Sequence, residues 1–441
     1  EKINGRLADL GLDPSSRAAL LDQRDRLVAR TSEMVDLRVD YRGDGTIALM
    51  TRSGVGLLDG RASVFEFQSA GTLSATALFD TNVADSQVGR LTLQTPSGLT
   101  LDLVQQGVFR SGEMAGLIDL RDTTLVHAQS QLDEIAGALA LAMSTVQTQG
   151  RVAGLGTATG YEIDLSDAQN GNDFILEYSQ GTTDLSLKVV NVADTSKLPM
   201  DYVDASGQRV VGFDFSAGIG QLAANLQDIL GVGFVVDNPT GNMLRIVDDG
   251  TPDTTDVIGL TARTTVTGHK DSGLGVSLFV DTGGTDFTNA LDGLGQRLGF
   301  AGRISVNPDI LVDSTLLVQH QTGGSLGDAA RPNYLSEQLE TMTFALAHSA
   351  GAQQSAFRIS GNVSDLISQT INFQGNSAAT AISEAESYAL SLETLTQRMD
   401  SEYGVDIDEE MARLMELQNA FAANGRVVSV VQELLNQLLQ I

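Results

Sequence analysis

The 441 residues are enough for several domains with cores of their own, and a hydrophobic share of 42% marks a folded chain. The 56 acidic against 27 basic residues leave a net charge of −29, a surface that repels nucleic-acid phosphates and anionic bilayers alike. With no cysteine the chain forms no disulfide, thiolate metal site or thiol nucleophile, and no apolar run reaches the ~18 residues needed for membrane insertion.

The chain opens at Glu1 inside a helical pattern, Ile3, Leu7 and Leu10, without an initiator Met, and we expect an N-terminal segment to precede it. Asp13-Pro14 reads as a helix start, with Asp as cap and Pro at the first helical position. The helix that follows carries Leu20, Leu27 and Met34 beside Leu21, Val28 and Val35, two flanks that each repeat every seven residues. At Asp36 the period changes. Leu37, Val39 and Tyr41 alternate, Gly43-Asp44-Gly45 turns, and Ile47 and Leu49 return, which predicts a hairpin. Short strands with Gly-rich turns continue to about Phe109. Near Gly112 the helical period resumes with Leu125, Ala128, Leu132, Ile135, Leu139, Ala142 and Val146, a seam expected to face the chain's own core.

From Gly150 to about Gly327 the texture is rich in Gly, Asp, Thr and Asn. Short strands such as 242–247 and 275–281 and one helix over 217–230 predict one or two inserted globular domains of mainly β character. From Leu335 onward the pattern is helical, with Leu335, Leu339, Met342 and Leu346 on one face. After a loop near Gly361, the residues Ile382, Ala385, Ala389, Leu392, Thr396, Met399 and Tyr403 line a second long helix. Gly404 breaks it, and Asp406 with Glu409 has the spacing of a capping box.

The last helix is the most informative element. Leu414, Leu417, Phe421, Asn424, Val428, Val431, Leu435 and Leu438 follow one another in steps of 3 and 4, the spacing of a coiled-coil seam. Ala420, Ala423, Val427, Val430 and Leu434 form a second stripe beside it. A helix apolar over so wide an arc needs partners on two sides. No later element in this sequence covers it, so the eight seam residues are the predicted assembly interface.

Motifs of chemistry are weaker. Gly323-Gly324-Ser325-Leu326-Gly327 matches the nucleophile elbow and follows a strand-like stretch, 315–321, but no helix follows the serine directly and the one downstream histidine is His348. His127, His269, His320 and His348 share no ligand spacing. Asp248-Asp249-Gly250 with Asp253 and Asp256, and Asp40 with Asp44-Gly45, miss the calcium-loop spacing and read as turns. The glycine runs 154–160 and 293–299 have one residue too many for a dinucleotide turn. Asp408, Glu409 and Glu410 suit the start of a helix dipole. No catalytic residue, metal ligand or cofactor is assigned, and no enzymatic activity is expected.

Gly404-Val405-Asp406-Ile407-Asp408-Glu409-Glu410-Met411, Leu417-Gln418, Ala420-Phe421-Ala422-Ala423 and Arg426-Val427-Val428 resemble the C-terminal signature of bacterial flagellar axial proteins. That signature is shared by hook, rod and junction members. Leu20-Leu21-Asp22-Gln23-Arg24-Asp25-Arg26-Leu27 and Gly112-Glu113-Met114-Ala115-Gly116-Leu117-Ile118-Asp119-Leu120-Arg121-Asp122 narrow it, for both resemble the hook-associated proteins of the FlgK family. The resemblance implies an extracellular structural adaptor at the hook–filament junction, required for filament assembly and secreted unfolded by the flagellar type III export apparatus. It implies as partners copies of itself, the hook protein, the second hook-associated protein (FlgL) and an export chaperone (FlgN) that engages the C-terminal region. The family's N-terminal helix and Asn-rich segment are absent from this sequence, and the stretch from Gly150 to Gly327 matches no known pattern, as the resemblance implies for a variable outer domain.

The expected fold is therefore α+β and multidomain, a long antiparallel helical stem, coiled-coil-like, with inserted mainly-β domains. We expect stem helices over 1–36, a β-rich domain over 37–111, a stem helix over 112–150 and inserted outer β-rich domains over 151–328. Stem helices over 329–403 and a C-terminal inner-core helix over 404–441 complete it. The rival readings are another flagellar axial protein of hook or rod type, a secreted adhesin or phage-tail-like binding protein, and a hydrolase centred on Ser325.

Overall fold

The computed structural model describes residues 1–9, 11–250, 254–345, 359–404 and 407–438. The chain divides into two units, Glu1–Thr370 and Ile371–Ile441. Helices and several mostly antiparallel sheets make it α+β.

In the first unit, α1 (Lys2–Leu7) precedes α2 (Pro14–Met34). Asp13 caps α2 as the sequence predicts, accepting from Ser15 N at 3.1 Å and Ser16 N at 2.9 Å. The hydroxyl of Ser15 foremost, then Ser16, holds the Asp13 carboxyl well below the usual carboxylate range. The expected hairpin follows as β1 (Leu37–Tyr41) and β2 (Ile47–Thr51), with Val39 opposite Leu49, and β3 (Gly56–Asp59) and β4 (Arg61–Ala62) extend the sheet. A second antiparallel sheet joins β5 (Val64–Gln68), β6 (Arg90–Gln94) and β7 (Thr100–Asp102). Val35, Leu57, Leu93, Leu103 and Val108 pack as their shared core.

Helix α3 (Glu113–Asp119) runs through one π-helical turn, Leu120–Thr124, into α4 (Leu125–Ser144). The seam read over this region is core only near its end. Ala142 is buried, Ala128, Ile135 and Leu139 are half-buried, and Leu125 and Leu132 stay exposed. Val146 leaves the seam altogether, because the helix stops at Ser144 and Thr145-Val146-Gln147-Thr148-Gln149 is strand β8. Threonine and valine resist the helical χ1 and favour a pleated surface.

The β module grows from that strand. After β8 (Thr145–Gln149) come β9 (Arg151–Leu155), β10 (Ala158–Asp164), β11 (Asp173–Gln180), β12 (Thr183–Asn191), β13 (Met200–Val203) and β14 (Arg209–Phe213). Helix α5 (Ile219–Leu230) follows, then β15 (Val235–Asp237), β16 (Met243–Val247) and β17 (Thr255–Thr265). One sheet has the order β13-β14-β12-β11-β17-β8, parallel only between β12 and β14; the other has the order β15-β16-β10-β9. Along β11, Phe174 and Leu176 point inward between partly exposed neighbours, the period-2 signature. Ile219, Leu222, Ala223, Leu226 and Leu230 give α5 one apolar stripe, and it packs with residues of both sheets in the largest core of the molecule. Gly231 at φ 79° ends the helix, a conformation that costs a glycine nothing.

Strands β18 (Phe279–Asp281), β19 (Thr285–Asp286) and β20 (Ser305–Val306), with α6 (Pro308–Val312), lead back to helix α7 (Ala330–Thr341). The expectation that the helix from Leu335 carries Met342 and Leu346 on its face is corrected here. Helix α7 stops at Thr341, and β21 (Phe344–Ala345) pairs with β22 (Ser360–Gly361). Leu346 and His348 lie outside the described residues. The strand expected over 315–321 is instead a 3-10 turn at Ser314–Leu317, capped by Asp313, which accepts from Thr315 N at 3.1 Å.

A 41-residue helix, α8 (Val363–Tyr403), starts in the first unit and continues through the second, where α9 (Ile407–Leu438) follows.

Candidate assembly interface

The root of α8 is fixed by reciprocal caps. Asp365 Oδ2 accepts from Asn362 N at 3.1 Å, and Asn362 Oδ1 accepts from Asp365 N at 2.9 Å. Ile359, Val363 and Leu366 pack with Ala138 and Ala142 of α4, so the root of the long helix is anchored on the buried end of α4. The Asn362–Asp365 spacing, a cap residue followed three positions on by an acid, is the local sequence signal for this helix start.

In the second unit, α8 exposes Ile371, Ile382, Leu392 and Met399. In α9, Leu414, Leu417, Phe421, Val428, Val431 and Leu435 are all exposed, Phe421 at 81%, and Asn424 stands exposed among them. The Leu438 side chain and Asp406 of the expected capping box lie outside the described residues. Val427, Val430 and Leu434 of the second stripe are exposed as well. At 100° per residue the two stripes together cover roughly 200° of the helix surface.

The polar groups of α9 agree with burial on that side. Between Leu417 and the end of the helix the charged residues are Arg426 and Glu433, seven apart and therefore stacked on the face turned away from the seam. Hydroxyls near the stripes are satisfied within their own helices: Ser429 donates to Gly425 O at 3.0 Å, and Thr396 to Leu392 O at 2.9 Å. Such groups enter an interface without leaving an orphan donor. A helix with these contents and with Gly425 at its middle is marginal alone in water, and patches of this kind mark interaction sites.

The sites weighed for chemistry resolve into local structure. Ser325 lies on an exposed turn, its hydroxyl accepting from Gly327 N at 3.2 Å, and His320 Nδ1 is 3.7 Å from Asp328. His269 faces Asp309 at 3.1 Å. Asp248 accepts from Thr159 N at 2.9 Å, the Thr159 hydroxyl at 2.7 Å and Gly250 N at 2.8 Å, which is turn chemistry; Asp253 lies outside the described residues. Among the described residues no group of three or more His, Asp or Glu is placed to hold a metal ion, and no helix is long and apolar enough to cross a membrane.

The two N-terminal motifs are joints. Arg24 of the first donates to Gly45 O at 2.6 Å and lies 5.0 Å from the centre of the Tyr41 ring, pinning the hairpin to α2. Arg121 of the second donates to Gly89 O at 2.9 Å beside Asp122. A Cβ at Gly112, where φ is 90°, would come within 2.7 Å of Met34 O, so α3 abuts the end of α2 only through glycine.

Residues 1–163 match the family described as flagellar hook-associated protein FlgK helical domain, and residues 396–441 match the flagellar basal body rod FlgEFG protein C-terminal family. The hook-associated resemblance holds. Flagellar hook-associated protein 1 of Salmonella typhimurium and its namesake of Salmonella typhi are each 22% identical over 432 residues, which is 96% of this chain and 64% of theirs. The chain thus spans just under two thirds of the length of these relatives. The matched C-terminal stretch contains every seam residue of α9, and the matched front contains both joints.

Proposed function

We propose that this chain is a structural axial component of the bacterial flagellum, the adaptor at the hook–filament junction on which filament growth depends, with no enzymatic activity of its own. One observation carries the reading: a helix in a stretch that matches flagellar axial C-termini leaves two apolar edges open along its length. Leu414, Leu417, Phe421, Asn424, Val428, Val431, Leu435 and Leu438 are the contacts we assign to neighbouring copies. Fully burying each large apolar side chain contributes roughly 1.5–3 kcal/mol, so a few such contacts per copy hold a tube together.

In this reading the helices within 1–36, 112–144, 330–341 and 363–403 form an antiparallel, coiled-coil-like stem, and 404–441 joins an inner core. The β-rich segments 37–111 and 151–328 project from it. The protein lies outside the cell after type III export. The hook protein and the second hook-associated protein (FlgL) flank it, and the export chaperone (FlgN) occupies the α9 face beforehand. The match of residues 396–441 to a rod-protein family favours one alternative, an axial protein of hook or rod type. Electron micrographs of cells lacking the gene separate the two. Intact hooks without filaments, with monomeric filament protein in the medium, support the junction role; missing hooks or rods support the alternative, and normal filaments contradict both.

A further inference from the structure

Asp133 and Glu134 are neighbours on α4, both are buried, and neither belongs to the assembly face. Against them lies the loop 287–303, which contains the glycine run 293–299. The contact has an apolar half: Phe287 stacks on Phe300 with ring centroids 4.1 Å apart, packed with Ala136 and Ala140 of α4. Gly137 leaves room for it, since a Cβ there would meet the Phe287 ring at 3.2 Å. The polar half is more telling. Gly299 N donates to Asp133 Oδ2 at 2.6 Å and Ala301 N to Asp133 Oδ1 at 2.8 Å, while Gln129 of α4 donates to the same carboxylate at 2.8 Å. Glu134 pairs with Arg297, which also donates to Asn289 Oδ1 at 2.9 Å. Arg303 braces the turn from within, donating to Leu298 O at 2.7 Å and Gln296 O at 2.8 Å and pairing with Asp281 at 2.9 Å. Gly299 sits at φ 71°, with Thr76 2.6 Å from where a Cβ would stand.

Main-chain N–H groups converging from one turn on a carboxylate, with a left-handed residue among them, form an anion-binding nest. The far side of the same loop grips the β module. Gly171 lets the loop approach so closely that a Cβ would stand 2.4 Å from Thr288 O, Asn170 bonds Asp292, and Gly293 N donates to Asp194 at 3.4 Å. We propose that the 297–303 turn is a carboxylate-binding nest filled from within the chain by Asp133, and that this internal ligand, with the Glu134–Arg297 pair beside it, latches the β module to α4. Burial pushes both carboxyls above their ordinary range against the pull of these donors, so the loop only in part replaces the water they lose.

The latch is tested by hydrogen exchange on the whole chain, with formate as a probe that fits an emptied nest. In Asp133→Ala the peptide holding Gly299 and Ala301 exchanges about tenfold faster or more, the loss of charge-assisted bonds, while β11 and β12 keep their protection. Sodium formate restores the protection and sodium chloride at equal ionic strength does not. Unchanged exchange at Gly299 and Ala301, or equal restoration by both salts, overturns the proposal. If Asp133→Ala loses protection throughout, Asp133→Asn decides, because it keeps the size and one acceptor oxygen. A loss confined to the 297–303 turn supports the latch; no loss, or a loss spread over β11 and β12, contradicts it.

Discussion

Arg331, fully buried on α7, donates to the carbonyls of His269 at 2.9 Å, Gln319 at 3.1 Å, Leu274 at 3.2 Å and Gly273 at 3.3 Å, and to Leu316 O as well. One guanidinium thus ties two loops to the helix that leads out of the β module. Arg331→Met leaves those carbonyls without donors and is expected to lower unfolding free energy by about 3 kcal/mol or more, read from urea midpoints. Arg331→Lys restores only part, since an ammonium cannot reach carbonyls spread around a planar fork. Nothing in the sequence marks this arginine, because the groups it gathers come from two loops that only the fold brings together. Tyr202 yields a pH prediction. Burial foremost pushes its phenol up to about 12. A folded pKa above the unfolded value of about 10 means that its stabilising contribution is intact below pH 10 and is lost as pH rises through 12. Spectrophotometric titration should show a late tyrosine step that vanishes in Tyr202→Phe; an unchanged titration curve contradicts the assignment.

At the scale of elements, the caps and hairpins were legible where one residue does one local job. Asp13-Pro14 started α2, Gly43-Asp44-Gly45 turned the first hairpin, and the stripe of α5 lay where the texture placed a helix. Where tertiary context decides, periodicity misled. The seam from Leu125 ran on paper to Val146, yet a β-branched stretch joined a sheet and took Val146 with it. The helix read from Leu335 likewise stops before β21, since two strands of two residues leave no period to find. At the root of α8, Asn362→Ala removes one side of a reciprocal cap and should destabilise the helix start by about 1 kcal/mol, visible as faster amide exchange over its first turn. Gly425 has open space around it. Gly425→Ala should therefore raise the helicity of α9 by circular dichroism, at a gain of roughly 1 kcal/mol. A fall in helicity would show that the main chain there is not regular helix.

For the whole molecule, the α+β class was legible in the sequence, and the assembly face remains a proposal that rests on its pattern. A seam of alternating 3 and 4 steps needs only the helical repeat to be recognised, and the structure leaves its described residues exposed. What the sequence could not supply was the link between parts: a carboxylate of α4 held by a loop 166 and 168 residues later depends on a chain path that periodicity does not encode. The central claim is that α9 is completed by its neighbours. Its most direct test is Leu435→Asp in the full-length protein, followed by sedimentation of the purified chain and electron microscopy of complemented cells. The account predicts a chain that stays monomeric, keeps the fold of residues 38–327 by hydrogen exchange, and builds no junction. Normal assembly by Leu435→Asp would contradict it.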